Sequence, residues 1–359
     1  MKTIVVGAGI IGALTAFRLA EAGADVTVIE AAGPASGASG ASFGWVNASF
    51  HIDHDHYVLR AAGIEAHRRI ADRLNSRATR WTGCLCWEEQ GAAFDAQFSD
   101  LKSLGYDVRQ VDRAEFQQLE PAVAAPERAL LFAQEAVVNL PFLAADALTA
   151  AQALGARLVT GVRVAGLETR SQAIRGVRWA GGVIEADRVV LAAGTGTESL
   201  LAAVEVPLPM LDRPGGIMRS HPLPPLVSHV LASPGQELRQ TPDGRIIAPT
   251  SAAHQSDKTE KITESPETLA DQAAARVSCL LQREVIWSGV SFASRPVPQD
   301  GLPVMGACGP EGLYVATMHS GATLAPLAAE LVAAEATERT LSNEQAKLIA
   351  PYRPERFKA

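Results

Sequence analysis

Glycines at positions 7, 9 and 12, followed by a glutamate at 30, are the residues of this chain whose type and spacing speak first of chemistry. A G-x-G-x-x-G run lets a chain turn tightly, bring its backbone against a diphosphate and pack a helix closely on a strand. The helix that such a run opens aims unpaired N–H groups and the positive end of its dipole at the phosphates. A carboxylate about twenty residues further on accepts hydrogen bonds from both hydroxyls of a ribose, and it repels the extra phosphate of NADP. Gly7, Gly9, Ile10, Ile11, Gly12, Glu30 and Ala31 are therefore expected to hold the adenosine diphosphate end of a dinucleotide. A second candidate is Arg295, set just before Pro296 at the end of an extended segment, where a guanidinium can fork two donors onto a carboxylate. His51, His54 and His56 alternate with Asp53 and Asp55, which invites a metal-site reading, but the cluster is expected to begin a solvated helix and no metal is expected. His51 and His319 are the histidines expected at a substrate cavity, while Trp45 and Met318 fit its walls and fit core packing equally well.

These residues need elements to position them. Lys2–Val6 is a β-branched run that reads as a strand, 13–22 has helical apolar periodicity closed by Gly23, and 25–29 reads as a second strand ending in Glu30. The following stretch, 31–48, is dense in Gly, Ala and Ser. Its Ser39, Gly40, Ser42 and Gly44 can lie against a large flat cofactor, which favours FAD over NAD. Far downstream, 186–194 reads as a buried strand closing in a glycine turn, and 312–321 runs from strand into a helix over 322–334. Cofactor contacts are thus expected from both ends of the chain. Segments 206–220, 236–249 and 284–295 read as extended and broken by Pro and Gly, with Pro242-Asp243-Gly244 as a hairpin turn.

Composition narrows the function classes. At 359 residues the chain exceeds what one core usually encloses, so two lobes are expected. A net charge of −7 without a clustered Lys/Arg excess argues against nucleic acid as a partner. No apolar stretch reaches the roughly 20 residues of a membrane span. The first twenty residues superficially resemble a signal peptide, but their glycines are better explained by the nucleotide turn, and a cytoplasmic location is the expectation. Cys84, Cys86, Cys279 and Cys308 match no zinc spacing and contain no C-x-x-C; all four read as buried thiols.

The motifs VVGAGIIG with Glu30, SGASFG, EPAV at 120–123, the 135–158 segment, RVVLAAGTGT at 188–197, DGRIIA at 243–248, RPVPQDGLPVMG at 295–306 and HSGATLAP at 319–326 together resemble the D-amino acid oxidase, glycine oxidase and sarcosine oxidase group of flavoenzymes. The resemblance implies an α/β fold: a Rossmann-like FAD-binding domain of the GR2 type, interleaved with an α+β substrate domain on a mostly antiparallel sheet. The FAD lobe is expected at 1–47, 139–212 and 290–359, and the substrate lobe at 48–138 and 213–289. Val164 matches the position whose backbone meets adenine, Ala193 and Gly194 the turn by the pyrophosphate or ribityl chain, and Gly321, Ala322 and Thr323 the helix start near the pyrimidine ring. Arg295 matches the arginine that anchors the substrate carboxylate.

The activity implied is oxidation of a small amino or imino acid of the glycine, sarcosine, iminodiacetate, D-amino acid or hydroxyproline type. Hydride passes from the α-carbon to flavin N5, the imine hydrolyses, and O2 or another acceptor takes the electrons. No side chain is assigned as acid or base. Two departures stand out. Ala293 replaces the cysteine that tethers flavin in sarcosine oxidases, so FAD is expected to be non-covalent, and Thr323 stands where those enzymes carry a lysine tied to oxygen reactivity. Alternatives are an FAD-dependent 2-hydroxy acid dehydrogenase, with His51 or His319 as base, and a flavoprotein subunit of an electron-transfer complex. Monomer and homo-oligomer both stay open.

Overall fold

A computed structural model of the chain describes residues 1–252 and 258–358. The β-branched opening forms strand Lys2–Val6, which lies at the centre of a six-stranded sheet. Its order is Val304–Ala307, Leu313–Thr317, Arg188–Leu191, Lys2–Val6, Asp25–Glu30 and Arg157–Thr160, parallel throughout except for the antiparallel first pair. Alternation along the strands divides the apolar side chains between two faces. Val5, Val28 and Val190 pack under helices Ile10–Glu21, Leu140–Ala153 and Gly321–Ala336. Ile4, Val6, Ile29, Val189 and Leu191 pack against a three-stranded antiparallel sheet of Gly166–Arg170, Ala173–Trp179 and Gly182–Glu185. The expected helix begins three residues earlier than its apolar period suggested, at Ile10, and Gly23 with φ +85° ends it.

The second large sheet has eight strands in the order Trp287–Ser294, Pro214–Ser220, Ile246–Pro249, Glu237–Gln240, Val230–Ala232, Cys84–Cys86, Arg128–Phe132 and Val108–Asp112. All pairs are antiparallel except Cys84–Cys86 with Val230–Ala232. The three segments read as extended supply its first strands, with the hairpin turn at Gly244, φ +85°. The mixed architecture implied by the resemblance is the one observed. Helix Pro266–Leu280 covers one face of this sheet with Ala270, Ala273, Ala274 and Val277. Cys279 lies off that helical stripe and is exposed, whereas Cys84, Cys86 and Cys308 are buried; one of the four thiols thus departs from expectation because the helix is amphipathic there.

The histidine-rich segment opens helix His54–Leu74, with the Asp53 carboxylate capping it through His56 N at 2.8 Å. His54 is solvated as expected, but His56 turns inward and is buried. This helix crosses Gly321–Ala336 at Gly63, where a Cβ would stand 2.8 Å from the Thr323 carbonyl. Among the described residues no helix is long and apolar enough to cross a membrane.

Gly63→Ala should therefore force the two helices apart. A loss of about 1–3 kcal/mol is expected, read as an unchanged m-value with a lower midpoint in urea unfolding.

Candidate active site

Three adjoining cavities run from the end of the parallel sheet to the antiparallel roof. The first is a trough of about 360 Å³ at the C-terminal ends of the parallel strands. Gly7, at φ +102°, turns the chain so tightly that a Cβ would lie 2.4 Å from the Ala192 carbonyl oxygen; a Cβ on Gly12 would lie 2.0 Å from the Gly7 oxygen. Helix Ile10–Glu21 opens on the trough with its first N–H taken by Ser39 Oγ, with no cap from Gly9 itself and with no acid in its first turn. Both oxygens of Glu30 are fixed by backbone donors, Oε2 by Ala8 N at 2.7 Å and Oε1 by Ala32 N at 2.8 Å. Thr317 adds a buried hydroxyl that has no partner among the described residues. A helix start free of acids, a fixed carboxylate and an orphan hydroxyl are what a dinucleotide's diphosphate and ribose require. The residues fit the adenosine end of FAD.

The second cavity, about 130 Å³, lies beneath the roof. Its floor comes from Ser42, Gly44, Trp45 and Asn47, its lid from Gly215, Gly216 and Ala293, and its far wall from Arg295, His319, Ala322 and Thr323. It shares Ser42, Pro296, His319 and Ala322 with the trough, so the two are continuous. A side chain on Gly216 would strike the Phe292 ring at 2.4 Å, which keeps that part of the lid bare. From the roof, Arg239 Nε donates to the Phe43 carbonyl at 2.6 Å and Arg219 Nη2 to the Gly40 carbonyl at 3.0 Å, pinning the small-residue loop. The third cavity, about 810 Å³, opens outward past Arg60, Arg295, His319 and Ser320, which it shares with the second.

Arg60 organises the join. It lies on helix His54–Leu74 and is buried, its Nε donating to the Asn47 carbonyl at 3.0 Å, its Nη2 to Asn47 Oδ1 at 2.5 Å and its Nη1 to Ser320 Oγ at 2.6 Å. Burial lowers its pKa to about 10, partly offset by the charges of Glu135 and Tyr106, so it stays cationic near neutrality. Behind Trp45, the fully buried Glu135 accepts from Trp45 Nε1 at 2.7 Å, Ser49 Oγ at 2.5 Å and Tyr106 Oη at 2.7 Å. Burial raises its pKa to about 7, against the pull of those three donors and of Arg60. His56 is pushed down to about 3, first by burial and then by Arg60, His51 and His319. His67, buried on the same helix, donates Nε2–H to the Ala322 carbonyl at 2.7 Å and is lowered to about 4 by burial.

Most residues singled out by sequence converge here. Gly7, Gly9, Ile10, Ile11, Glu30, Ala31, Ser39, Ala193, Gly194 and Gly321 line the trough, and Ser39 Oγ accepts from Ile10 N at 3.0 Å. Ser42, Gly44, Trp45, Arg295, Ala322 and Thr323 line the inner chamber, and His51 faces the outer one. His319 borders all three cavities. Met318 belongs to the trough and to neither chamber on the substrate side, because the end of strand Leu313–Thr317 directs it back toward the sheet. Gly12, Gly40 and Val164 form no wall: Gly12 is packed on Gly7, Gly40 abuts the Ala35 carbonyl, and Arg163 lines the trough in place of Val164. Among the described residues, no three of His, Cys, Asp and Glu are placed to hold a metal ion.

Arg60, Asn47, Glu135 and Arg213, which lines the outer chamber, were not found from sequence. Arg60 had a signal, since it interrupts a buried stripe of Tyr57, Ile64, His67 and Ile70 with a charge. Asn47 and Glu135 come together only through the pairing of Trp45–Val46 with Ala136–Val138, which no local pattern reveals.

Comparison with known proteins places the chain among flavoenzymes. A family model described as FAD dependent oxidoreductase (DAO) matches residues 2–335. Glycine oxidase of Geobacillus kaustophilus is 28% identical over 367 residues, covering 97% of this chain and 95% of the relative. The crystal structure of glycine oxidase from the same organism superposes with a TM-score of 0.88 at 24% identity, covering 99% of each chain. Iminodiacetate oxidase from Chelativorans sp. BNC1 superposes with a TM-score of 0.85 at 23% identity over 98% of each chain.

Two outcomes follow from the buried charges. Removing the Arg60 guanidinium strands the Asn47 acceptors and Glu135, so Arg60→Met should cost about 3–5 kcal/mol of stability in chemical unfolding, with Arg60→Lys recovering less than half. The second is a pH dependence. His67, lowered from 6.5, contributes stability that is full above pH 6.5 and lost as pH falls toward about 4. Glu135, raised from 4.5, acts oppositely, costing stability as pH rises from 4.5 to about 7. Relative to wild type, His67→Gln should therefore lose stability and Glu135→Gln gain it as pH rises through these windows. Each trend should amount to roughly 3 kcal/mol by chemical unfolding at a series of pH values.

Proposed function

Because the chain belongs to the DAO family of FAD-dependent oxidoreductases, we propose that it oxidises a small amino or imino acid whose carboxylate is held by Arg295. FAD, its cofactor, supplies the acceptor for a hydride from the substrate carbon. The observation that carries the reading is the placement of Arg295. It borders both the inner and the outer chamber, with Nε donating to the Arg213 carbonyl at 3.1 Å and Nη2 directed at the Pro214 carbonyl, 3.4 Å away. Fixed in this way, a guanidinium orients a substrate at little entropic cost. Two relatives that bear on the choice are named for oxidising glycine and iminodiacetate.

The chamber side chains also set the protonation of the substrate. Arg60 and Arg295 border the inner chamber as cations, and positive surroundings disfavour an ammonium. They therefore favour the neutral amine, the form whose α-carbon gives up hydride. Trp45, Ala322 and Thr323 narrow the floor, and the Thr323 hydroxyl, which accepts from Asn47 N at 3.2 Å, ties that floor to helix Gly321–Ala336. His51 and His319 line the substrate path in this reading.

The flavin is held without a covalent link: Ala293 occupies the lid, and Cys84, Cys86, Cys279 and Cys308 border none of the three cavities. The same proposal divides the chain into a FAD lobe, 1–47, 139–212 and 290–359, and a substrate lobe, 48–138 and 213–289. All six strands of the parallel sheet fall in the first set and seven of the eight roof strands in the second, Trp287–Ser294 crossing the boundary.

Anaerobic mixing of the yellow holoprotein with amino acids, N-alkyl glycines, imino acids and 2-hydroxy acids tests the function. Bleaching by an amine is expected, and recolouring on admission of air identifies dioxygen as acceptor; bleaching by hydroxy acids alone overturns the proposal. Arg295→Ala should keep its flavin while the substrate concentration for half-bleaching rises 30-fold or more, about 2–5 kcal/mol. Flavin loss in that variant would assign Arg295 to cofactor retention instead.

A further inference from the structure

Behind the inner chamber lies a buried acid to which the oxidation itself gives no role. Glu135 is fully buried, and its two oxygens meet different kinds of donor. Oε2 accepts from Trp45 Nε1, at 2.7 Å, and an indole can only donate. Oε1 accepts from the hydroxyls of Ser49 and Tyr106, at 2.5 and 2.7 Å, and a hydroxyl can turn and accept instead. A proton on this carboxyl therefore belongs on Oε1, and the bond that anchors the Trp45 ring is kept in both protonation states. Burial raises the group to about 7 against its three donors and Arg60, so the charged and neutral forms lie close in free energy near neutrality.

The charge on Glu135 reaches the inner chamber by two routes. Trp45 lines that chamber and stands on the carboxylate, so a single indole separates Glu135 from the space for a ligand. Arg60 borders both chambers and donates to neutral acceptors on Asn47 and Ser320. Burial pulls its cation down, and Glu135 is the foremost charge opposing that. Three further titratable groups face Glu135: Tyr106, ahead of strand Val108–Asp112, and Cys84 and Cys86 of the strand they bound. Burial pushes the phenol and both thiols up, so all three stay neutral near pH 7, and Glu88 and Glu237 act on the thiols in the same sense. What varies around Glu135 near neutrality is thus its own charge, set against Arg60.

We propose that Glu135 takes up a proton when a carboxylate occupies the inner chamber, and that it tempers in this way the hold of the site on its anionic ligands. Ionised, Glu135 places a negative charge one indole away from the incoming carboxylate and offsets Arg60. Like charges in a dry interior repel, so the proton and the ligand each favour the other. The proton comes from solvent and forms the Oε1–H bond; no other covalent bond changes. Glu135 is then a positioning residue, acting through Trp45 and Arg60 and touching no ligand. Substrate and oxidised product both carry the carboxylate, so one acid sets how tightly each is kept. This inference rests on the reading of the chamber as a carboxylate site closed by Arg295.

Methoxyacetate, a carboxylate with no amine to oxidise, separates this inference from the one beneath it. It is titrated into the holoprotein by calorimetry, in buffers of different ionisation enthalpy, over roughly pH 5.5 to 8.5. Binding should take up about 0.3 proton at pH 7 and weaken about fivefold or more from the acid to the alkaline end of the range. Glu135→Gln can meet the same three side chains without a charge, and should take up less than half as much. Ser49→Ala removes a donor from Oε1 and should move the pH of greatest uptake upward, which keeps the test open where the glutamine variant does not retain its flavin. Binding without proton uptake overturns the proposal, as does an uptake in Glu135→Gln of half or more of the wild-type value, or a maximum that Ser49→Ala leaves in place. If amines bleach the flavin in that case, the oxidation stands without the proton linkage. Amines that fail to bleach it while methoxyacetate binds with Glu135-dependent uptake sink the oxidation and leave the linkage standing. No binding of methoxyacetate at any pH sinks the carboxylate grip and the proposal together.

Discussion

A guanidinium taken out of water must find acceptors for its N–H groups, and Arg60 finds them on two other segments of the chain: the carbonyl and side chain of Asn47, and the hydroxyl of Ser320. Those bonds fasten helix His54–Leu74 to the loop after Trp45 and to the start of helix Gly321–Ala336. Both chambers border on the join, so their shape depends on a charge held in place by polar groups from distant parts of the sequence. Glu135 lies behind this wall, and its own three donors, Trp45, Ser49 and Tyr106, draw the floor inward. A hydrophobic core would have packed the same helices. It would not have left a cation at the boundary of the cavity.

Legibility in the sequence followed the range of the interactions involved. The nucleotide trough is drawn from distant segments, but each of its parts is a local strand-to-turn or turn-to-helix pattern that declares itself: Gly7 because only glycine tolerates its turn against Ala192, Glu30 because a strand ends where a ribose would sit, and Gly321 because a strand turns into a helix. Roof strands were legible as extended segments, and the Pro242-Asp243-Gly244 turn fixed their hairpin. The chamber walls were less so. Arg295 was found through a motif, but Arg213, whose carbonyl accepts from Arg295 Nε, is brought beside it only by strand register, which single-strand patterning does not specify. Met318, for which wall and core packing were equally open, is buried in the core and borders the trough alone, because adjacency to His319 in sequence does not place the two side chains in the same set of cavities. Cys279 missed because helix Pro266–Leu280 turns its Ala-rich side inward and leaves that thiol outside.

Histidines show how one residue type serves different ends in this fold. His67 is a neutral bolt, its Nε2–H committed to the Ala322 carbonyl in the first turn of helix Gly321–Ala336. His56, lowered by burial and then by Arg60, His51 and His319, is also neutral and adds no charge to the outer chamber. Arginine and lysine in that lining, Arg60, Arg213, Lys258 and Arg295, carry a charge that does not vary over the physiological range of pH.

The loop of small residues between Glu30 and Trp45 belongs to two structures at once. Ser39 and Ser42 border the trough, while Arg219 and Arg239 of the roof hold the loop through the Gly40 and Phe43 carbonyls. Because Ser42 borders the trough and the inner chamber alike, a shift of this loop reshapes both cavities at once, and the two roof arginines resist such a shift through backbone carbonyls that no side-chain substitution in the loop would remove.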